Sequence, residues 1–262
     1  MLDYESLYRK GVSSKGSFFE ILIEATYTAL LRVGDIVVDC GANMGRHTMP
    51  LSRCVGPTGL VLAIEPIPAL AQKLSSECET NVRIFQNAVG DQQKDEADFF
   101  FVPQGHPISS LRSPANHPLM TEEVARSIVM TKVKMTTINA ICESQGLSNV
   151  RFMKMDIEGA EFHAMQGGDR LLNQSKPMII FEFGFDETAR NFDFSRDDFF
   201  SFFRSHGYNL FDLLGRRFDA MAWGQASVPW YLIAVGASSP DEEYIVNIHP
   251  QIVSMVDDAT YI

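Results

Sequence analysis

Two groups of residues in this chain have types and spacing that suit chemistry. The first runs from Asp39 through Gly41, Asn43 and Gly45, with the acid Glu65 at the end of the next apolar run. A short apolar stretch over 35–40 enters a glycine turn and leaves into a helix, the layout of a site for an adenosine-bearing cofactor. Gly41 and Gly45 remove side chains where a cofactor must lie against the backbone. Asp39 can accept from a cofactor ammonium or orient the turn. Glu65 can accept both ribose hydroxyls, and its distance from Gly41 is close to the ~20-residue interval of such sites. Asn43 stands where a dinucleotide fingerprint would place its second glycine, the one that lets the backbone approach a pyrophosphate. Its side chain obstructs that approach. The expected ligand is an adenosine cofactor without a pyrophosphate, and S-adenosylmethionine (SAM) fits that description.

The second group is acidic. Asp156, Glu158 and Glu161 fall within one short segment at a predicted strand end and helix start. A helix N-terminus stabilises carboxylates, so capping is the plain alternative to function. Asp156 and Glu158 nevertheless belong to the end of the sheet where the cofactor is expected. General base, acceptor of a substrate hydroxyl and metal ligand are the roles open to them. Glu161 is expected to be structural, paired with the helix dipole or with Lys154. Glu182 is the single charge in the apolar run 177–183, and a buried unpaired carboxylate is costly, so it pairs or faces the site. Asp156 and Glu182 on adjacent strand ends could together hold a divalent cation through oxygen ligands. His47 and His163 read as surface or capping residues, whereas His106 lies in a loop from which it could reach a substrate. Trp223, Trp230 and Met221 read as packing residues at a sheet edge.

The elements that position these groups follow from periodicity and turn signals. Helices are predicted over 17–32, 46–55, 69–78, 119–129, 137–145, 160–173 and 195–205, the last with Ser195 as N-cap and Asp198 three residues on. Strands are predicted over 35–40, 60–65, 82–86, 99–102, 130–135, 150–156, 177–183, 208–214 and 228–235. The segment 103–113 reads as a long loop. Strands alternating with helices imply a mostly parallel, doubly wound sheet, and the short link between the last two strands makes them antiparallel neighbours. In such sheets ligands bind at the carboxyl ends of the strands. Asp39 to Gly45, Glu65, Asn87 and Asp156 all fall there.

With 262 residues and 45% hydrophobic content, the chain can bury a substantial core. A net charge of −11 argues against nucleic acid as a partner. None of Cys40, Cys54, Cys78 and Cys142 has C-x-x-C spacing, so no zinc knuckle or redox motif is present, and Cys40 and Cys54 read as reduced core residues. No apolar run reaches the ~18 residues of a transmembrane span, and no signal-like segment opens the chain; a cytoplasmic location is expected.

The segment 39–48 resembles the D-V-G-A-N-x-G-x-x-T motif of FkbM-type SAM-dependent methyltransferases, with Cys40 in place of the commoner Val. Glu65-Pro66 resembles that family's E-P, 87–91 its A-x-G-D segment, and 154–161 its K-x-D-x-E-G-x-E. Residues 166–168, 177–182 and Gly207-Tyr208 continue the likeness, which spans about 17–235. The resemblance implies a class I methyltransferase fold, a Rossmann-like seven-stranded mostly parallel sheet with an antiparallel last strand. It implies SAM as donor and a hydroxyl of a sugar, glycolipid, polysaccharide or polyketide-type product as acceptor. It assigns Asp39, Gly41, Ala42, Asn43, Gly45, Thr48, Glu65, Asn87, Ala88 and Asp156 to the cofactor, and Asp156, with Glu158 and Glu182 behind it, to catalysis. A methyltransferase domain over residues 1–236 is expected, with a helical cap about 1–33, an inserted lid about 91–135, and a tail over 237–262. The rival readings are N-methylation, a SAM-binding module without chemistry, and an NAD-dependent oxidoreductase. Against the last stand Asn43 and the absent third fingerprint glycine.

Overall fold

The computed structural model describes residues 2–103, 108–114 and 120–259. Its strands are β1 (Ile36–Cys40), β2 (Leu60–Ile64), β3 (Val82–Phe85), β4 (Ala88–Val89), β5 (Lys94–Phe101), β6 (Val129–Thr136), β7 (Phe152–Met155), β8 (Met178–Glu182), β9 (Tyr208–Asp212) and β10 (Tyr231–Gly236). Seven of them form one sheet in the order β3-β2-β1-β7-β8-β10-β9. The pairs from β3 to β8 are parallel, and β10 is antiparallel to both β8 and β9. No helix lies between β9 and β10 to carry the chain back across the sheet, so β10 must return antiparallel. The doubly wound, mostly parallel architecture and its antiparallel edge are as expected from the sequence.

Alternation along each strand divides the core. Val37 of β1 and Phe152 of β7 face one layer with Leu22, Ile23 and Tyr27 of the helix Ser17–Leu30. Val38, Cys40, Met153 and Met155 face the other, with Phe181, Phe199 and Phe203. By this parity Asp39 and Lys154, which pair across β1 and β7, belong to the layer of the helix Ser17–Leu30. The helices Pro240–Asn247 and His249–Ala259 place Ile245, Ile252 and Val253 in that same layer. Among the described residues no helix is long and apolar enough to cross a membrane.

Three expectations change. The segment 160–173 is two helices, Glu161–Gln166 and Asp169–Ser175, broken at Gly167 and Gly168. A Cβ on Gly167 would lie 2.1 Å from the Gly90 carbonyl oxygen, so the break lets the chain pass against the segment following β4. The segment after 91 builds a three-stranded sheet, β4-β6-β5, and its strand β5 starts within the polar run 92–96. Lys94, Asp95 and Glu96 are exposed there, which a strand with a solvent face tolerates. Cys54 is only half-buried, unlike Cys40; all four cysteines are free thiols.

Phe152 is fully buried and its ring lies 5.7 Å from that of Tyr27, joining β7 to the helix Ser17–Leu30. Phe152→Ala is expected to cost about 3–5 kcal/mol of unfolding free energy in urea titrations, with the denaturant slope unchanged.

Candidate active site

β1 ends at Cys40 and the chain turns at Gly41 with φ +80°. The amides of Gly41 and Ala42 both donate to the Ile64 carbonyl at 3.0 Å, which pins the turn to the end of β2. A Cβ on Gly41 would lie 1.9 Å from the carbonyl oxygen of Asp156, and the Asp156 amide donates to the Cys40 carbonyl at 3.0 Å. Only glycine permits both the left-handed turn and this approach. The glycine turn and the acidic segment are therefore one structure.

Asn43 follows in the left-handed region at φ +47°, a conformation its short polar side chain tolerates. Its amide donates to Glu65 Oε2 at 2.9 Å, and the Ile67 amide donates to Oε1 at 2.8 Å. Burial pushes the Glu65 carboxyl up, against the pull of these two amides. Thr48 opens the helix Thr48–Val55 and donates its hydroxyl to Asp39 Oδ2 at 2.6 Å. Asp39 is 1% exposed and its Oδ1 has no hydrogen-bond partner among the described residues.

A cavity open to solvent lies where these parts meet. Gly41, Asn43, Glu65, Asn87, Ala88 and Asp156 line it, at the carboxyl ends of strands, in the links that follow, or, for Ala88, at the start of β4. Phe99, Ser109 and Leu111 close it from the side of the small sheet, and Glu158 from the acidic segment. Asp39, Ala42, Gly45 and Thr48 do not line it. The side chains of Asp39 and Thr48 are buried beneath the turn, and Gly45 gives way to Leu74 and Met49.

Asp156, Glu158 and Glu182 each place a carboxylate oxygen within 4.8 Å of the others. Glu158 reaches this position from a left-handed backbone at φ +58°, with its carbonyl accepting from the Ser110 hydroxyl at 2.7 Å. Burial, then the negative charges of Asp156 and Glu161, hold the Glu158 carboxyl well above the usual range. Burial and the charges of Asp156, Glu158 and Glu161 do the same to Glu182. Lys154 is 4% exposed and sits 3.0 Å from Asp156 Oδ2. Burial pulls its amine down, but the charges of Asp156, Asp39 and Glu20 outweigh that and hold it above its usual value. A cavity of this build offers backbone and carboxylate acceptors to a nucleoside on one side. On the other it offers carboxylates to a proton-bearing nucleophile.

Glu161 is not the partner of Lys154. Its Oε1 accepts from the Ile157 amide at 2.7 Å, its Oε2 has no partner among the described residues, and burial pushes the carboxyl up to about 8. His47 is neither a surface residue nor a side-chain cap. It is 3% exposed, with Nε2 2.7 Å from Glu20 Oε2 and Nδ1 3.2 Å from the Tyr27 hydroxyl. A helix crossing above the glycine turn buries it, which spacing alone does not reveal. His163 is part-buried near Phe162, Phe192 and Phe194, and burial pulls its imidazole down. His106 lies outside the described residues. Trp230 packs edge-on to Phe19, and Trp223 joins the aromatic layer while donating to Asp186. Met221 packs on nothing comparable; it is 80% exposed in the turn after Asp219.

Sequence reasoning missed Glu20, Ser110 and Tyr231. Glu20 had a signal, a lone acid among Phe18, Phe19, Ile21 and Leu22. Tyr231 had none, since a tyrosine in an apolar strand is ordinary.

A family model described as the methyltransferase FkbM domain matches residues 39–210. The chain is 28% identical over 165 residues to Methyltransferase 1 of Beauveria bassiana (strain ARSEF 2860), covering 57% of this chain and 65% of that protein. It therefore spans just under two thirds of the fungal relative's length. The crystal structure of a methyltransferase FkbM from Methylobacillus flagellatus KT superposes with a TM-score of 0.46 at 18% identity, over 79% of this chain and 45% of that one. A SAM-dependent O-methyltransferase from Thermotoga maritima gives 0.41 at 11% identity, over 82% and 65% of the two chains.

Gly41→Ala is expected to lose at least ~2 kcal/mol of stability from the left-handed backbone and the clash with Asp156, measured by thermal and urea unfolding. Glu161 carries a second expectation. Its carboxyl is raised in the fold, so between the ordinary glutamate range and about pH 8 the native state binds the extra proton, and rising pH destabilises it. Glu161→Gln keeps the oxygen facing Ile157 and removes the titration. The variant should gain stability relative to the parent between pH 5 and pH 8, with no such gain on going below pH 5.

Proposed function

We propose, from the premise that this chain belongs to the methyltransferase FkbM family, that it transfers a methyl group from SAM to a hydroxyl oxygen. The acceptor class is a sugar, glycolipid or polysaccharide, or a polyketide-type natural product. The observation that supports this reading is one cavity in which the glycine turn, Glu65 and Asn87 stand against Asp156 and Glu158, with a carboxylate oxygen of Glu182 within 4.8 Å of both acids. Each Glu65 oxygen already takes one backbone amide and keeps a second lone pair for a ribose hydroxyl. Asn43 and the bare Gly41 backbone form the wall beside it, with Asn87 and Ala88 on the side assigned to the adenine.

Bound SAM supplies a methyl group activated by its sulfonium. The protein's task is then to align the acceptor in line and to remove its proton. Asp156, with Lys154 beside one of its oxygens, is the first candidate to take that proton. Glu158 and Glu182, raised by burial and by their neighbours, are placed to hold an alcohol by donating hydrogen bonds to it. The same three carboxylates are close enough for a divalent cation, the second reading of how the hydroxyl is activated. The inserted sheet and the loop that carries Ser109 and Leu111 border the cavity, and we assign acceptor choice to them.

Calorimetry with SAM, S-adenosylhomocysteine and NAD should give binding of the first two alone; binding of NAD alone would turn the reading to an oxidoreductase. Release of S-adenosylhomocysteine should be stimulated by hydroxyl acceptors. Stimulation by amines alone would point to N-methylation, and release with neither would point to a SAM-binding module. Asp156→Asn should keep cofactor affinity and lose about a hundredfold or more in transfer; unchanged turnover rejects Asp156 as the base. A chelator that abolishes transfer, reversed by magnesium or manganese, would assign the activation to a cation.

A further inference from the structure

Glu20 lies on the helix Ser17–Leu30 among apolar neighbours, yet it connects three elements. Its Oε2 is 2.7 Å from His47 Nε2, at the start of the helix Thr48–Val55. Its Oε1 accepts from the Tyr231 hydroxyl at 2.7 Å. Tyr231 opens β10, is 5% exposed, and holds the same hydroxyl 3.2 Å from Asp156 Oδ2. One line of polar contacts therefore runs from Tyr27 through His47, Glu20 and Tyr231 to Asp156 and Lys154.

A phenol has one proton. Tyr231 stands between two carboxylates and can donate to only one of them at a time. Glu20 is nearer and is held as an anion. Burial pushes its carboxyl up, but the His47 hydrogen bond, the charges of Lys154 and His47, and Tyr231 itself outweigh that and bring it to about 2. While the phenol proton points at Glu20, Asp156 Oδ2 has Lys154 as its donor. When the proton turns to Asp156, that oxygen has two donors and its negative charge is held more firmly. The groups facing Asp156 from every packed element are Lys154 on β7, Tyr231 on β10, Glu182 on β8, Glu158 and Glu161 on its own segment, and Glu20 behind Tyr231. Tyr231 is the one phenol in that set, beside Glu182, which also shares a hydrogen bond with Asp156.

We propose that Tyr231 is a positioning residue for Asp156, and that Glu20, oriented by His47, tunes it by competing for the same phenol proton. This rests on the reading above that Asp156 faces the methyl donor. A carboxylate there favours the sulfonium cation of SAM over the neutral thioether of S-adenosylhomocysteine, so the ratio of the two affinities measures how firmly the charge is held.

The test is calorimetry of the full chain with both nucleosides, without any acceptor, accompanied by thermal unfolding. Asp156→Asn should lower the ratio of SAM to S-adenosylhomocysteine affinity by about tenfold. Tyr231→Phe should lower it by about threefold or more, with S-adenosylhomocysteine affinity and unfolding temperature close to the parent. Glu20→Gln should move the ratio the opposite way, because the phenol proton is then released to Asp156. A merely structural network would move both variants in one direction. A common fall in the ratio, or a Tyr231→Phe ratio equal to the parent's, overturns the proposal while Asp156→Asn still lowers it. If Asp156→Asn leaves the ratio unchanged, Asp156 does not face the donor, and both the earlier reading and this one fall.

Discussion

The ammonium of Lys154 is buried inside the sheet, and the site is organised around neutralising it. Taking an unpaired ammonium out of water costs several kcal/mol. Asp156 meets it at 3.0 Å, and Asp39 lies across from it in the register of β1 and β7. Glu20 adds its charge from the helix above. Pairing a single cation with this many acids leaves negative charge in excess. Burial, reinforced by that excess, pushes Glu158, Glu161 and Glu182 upward, while Glu20, with its own donors, is pulled down. The carboxyls therefore differ in proton affinity although they lie within one small region, and such separation is what acid–base work requires.

The second constraint is the approach of the Gly41 backbone to the Asp156 carbonyl. It fixes the turn after β1 against the segment after β7, since these strands are neighbours in the sheet. In the proposed function, this sets a nucleoside at the turn and Glu65 at a fixed separation from a nucleophile at the acids. Positioning of this kind is most of what transfer from an activated donor asks of a protein. The left-handed backbones at Asn43 and Glu158 fall on either side of this contact, and both residues line the cavity.

Much of this was legible in the chain. Period-two and period-3.6 patterns placed the strands and helices of the main sheet to within a few residues. The glycine turn, Glu65, Asn87 and Asp156 were readable because the ends of parallel strands converge by topology. The inserted sheet was less readable, because its polar edge strand resembles a loop. The helix break at Gly167 answers to a carbonyl far away in sequence. Glu20 was visible as an anomaly without a partner, and Tyr231 was not visible at all.

By itself the sequence determined the order of the main sheet's strands and the glycine turn, and it placed Gly41, Asn43, Glu65, Asn87 and Asp156 together at their carboxyl ends. Those features depend on local spacing and on the burial of apolar side chains, which a linear pattern records. Only the tertiary structure decided which polar groups face one another. It buried His47, turned Glu161 away from Lys154 toward a backbone amide, and set Tyr231 between Glu20 and Asp156. Hydrogen bonds act over about 3 Å. Residues separated by hundreds of positions come within that distance through the packing of a helix and a distant strand over the sheet, which no spacing rule along the chain encodes.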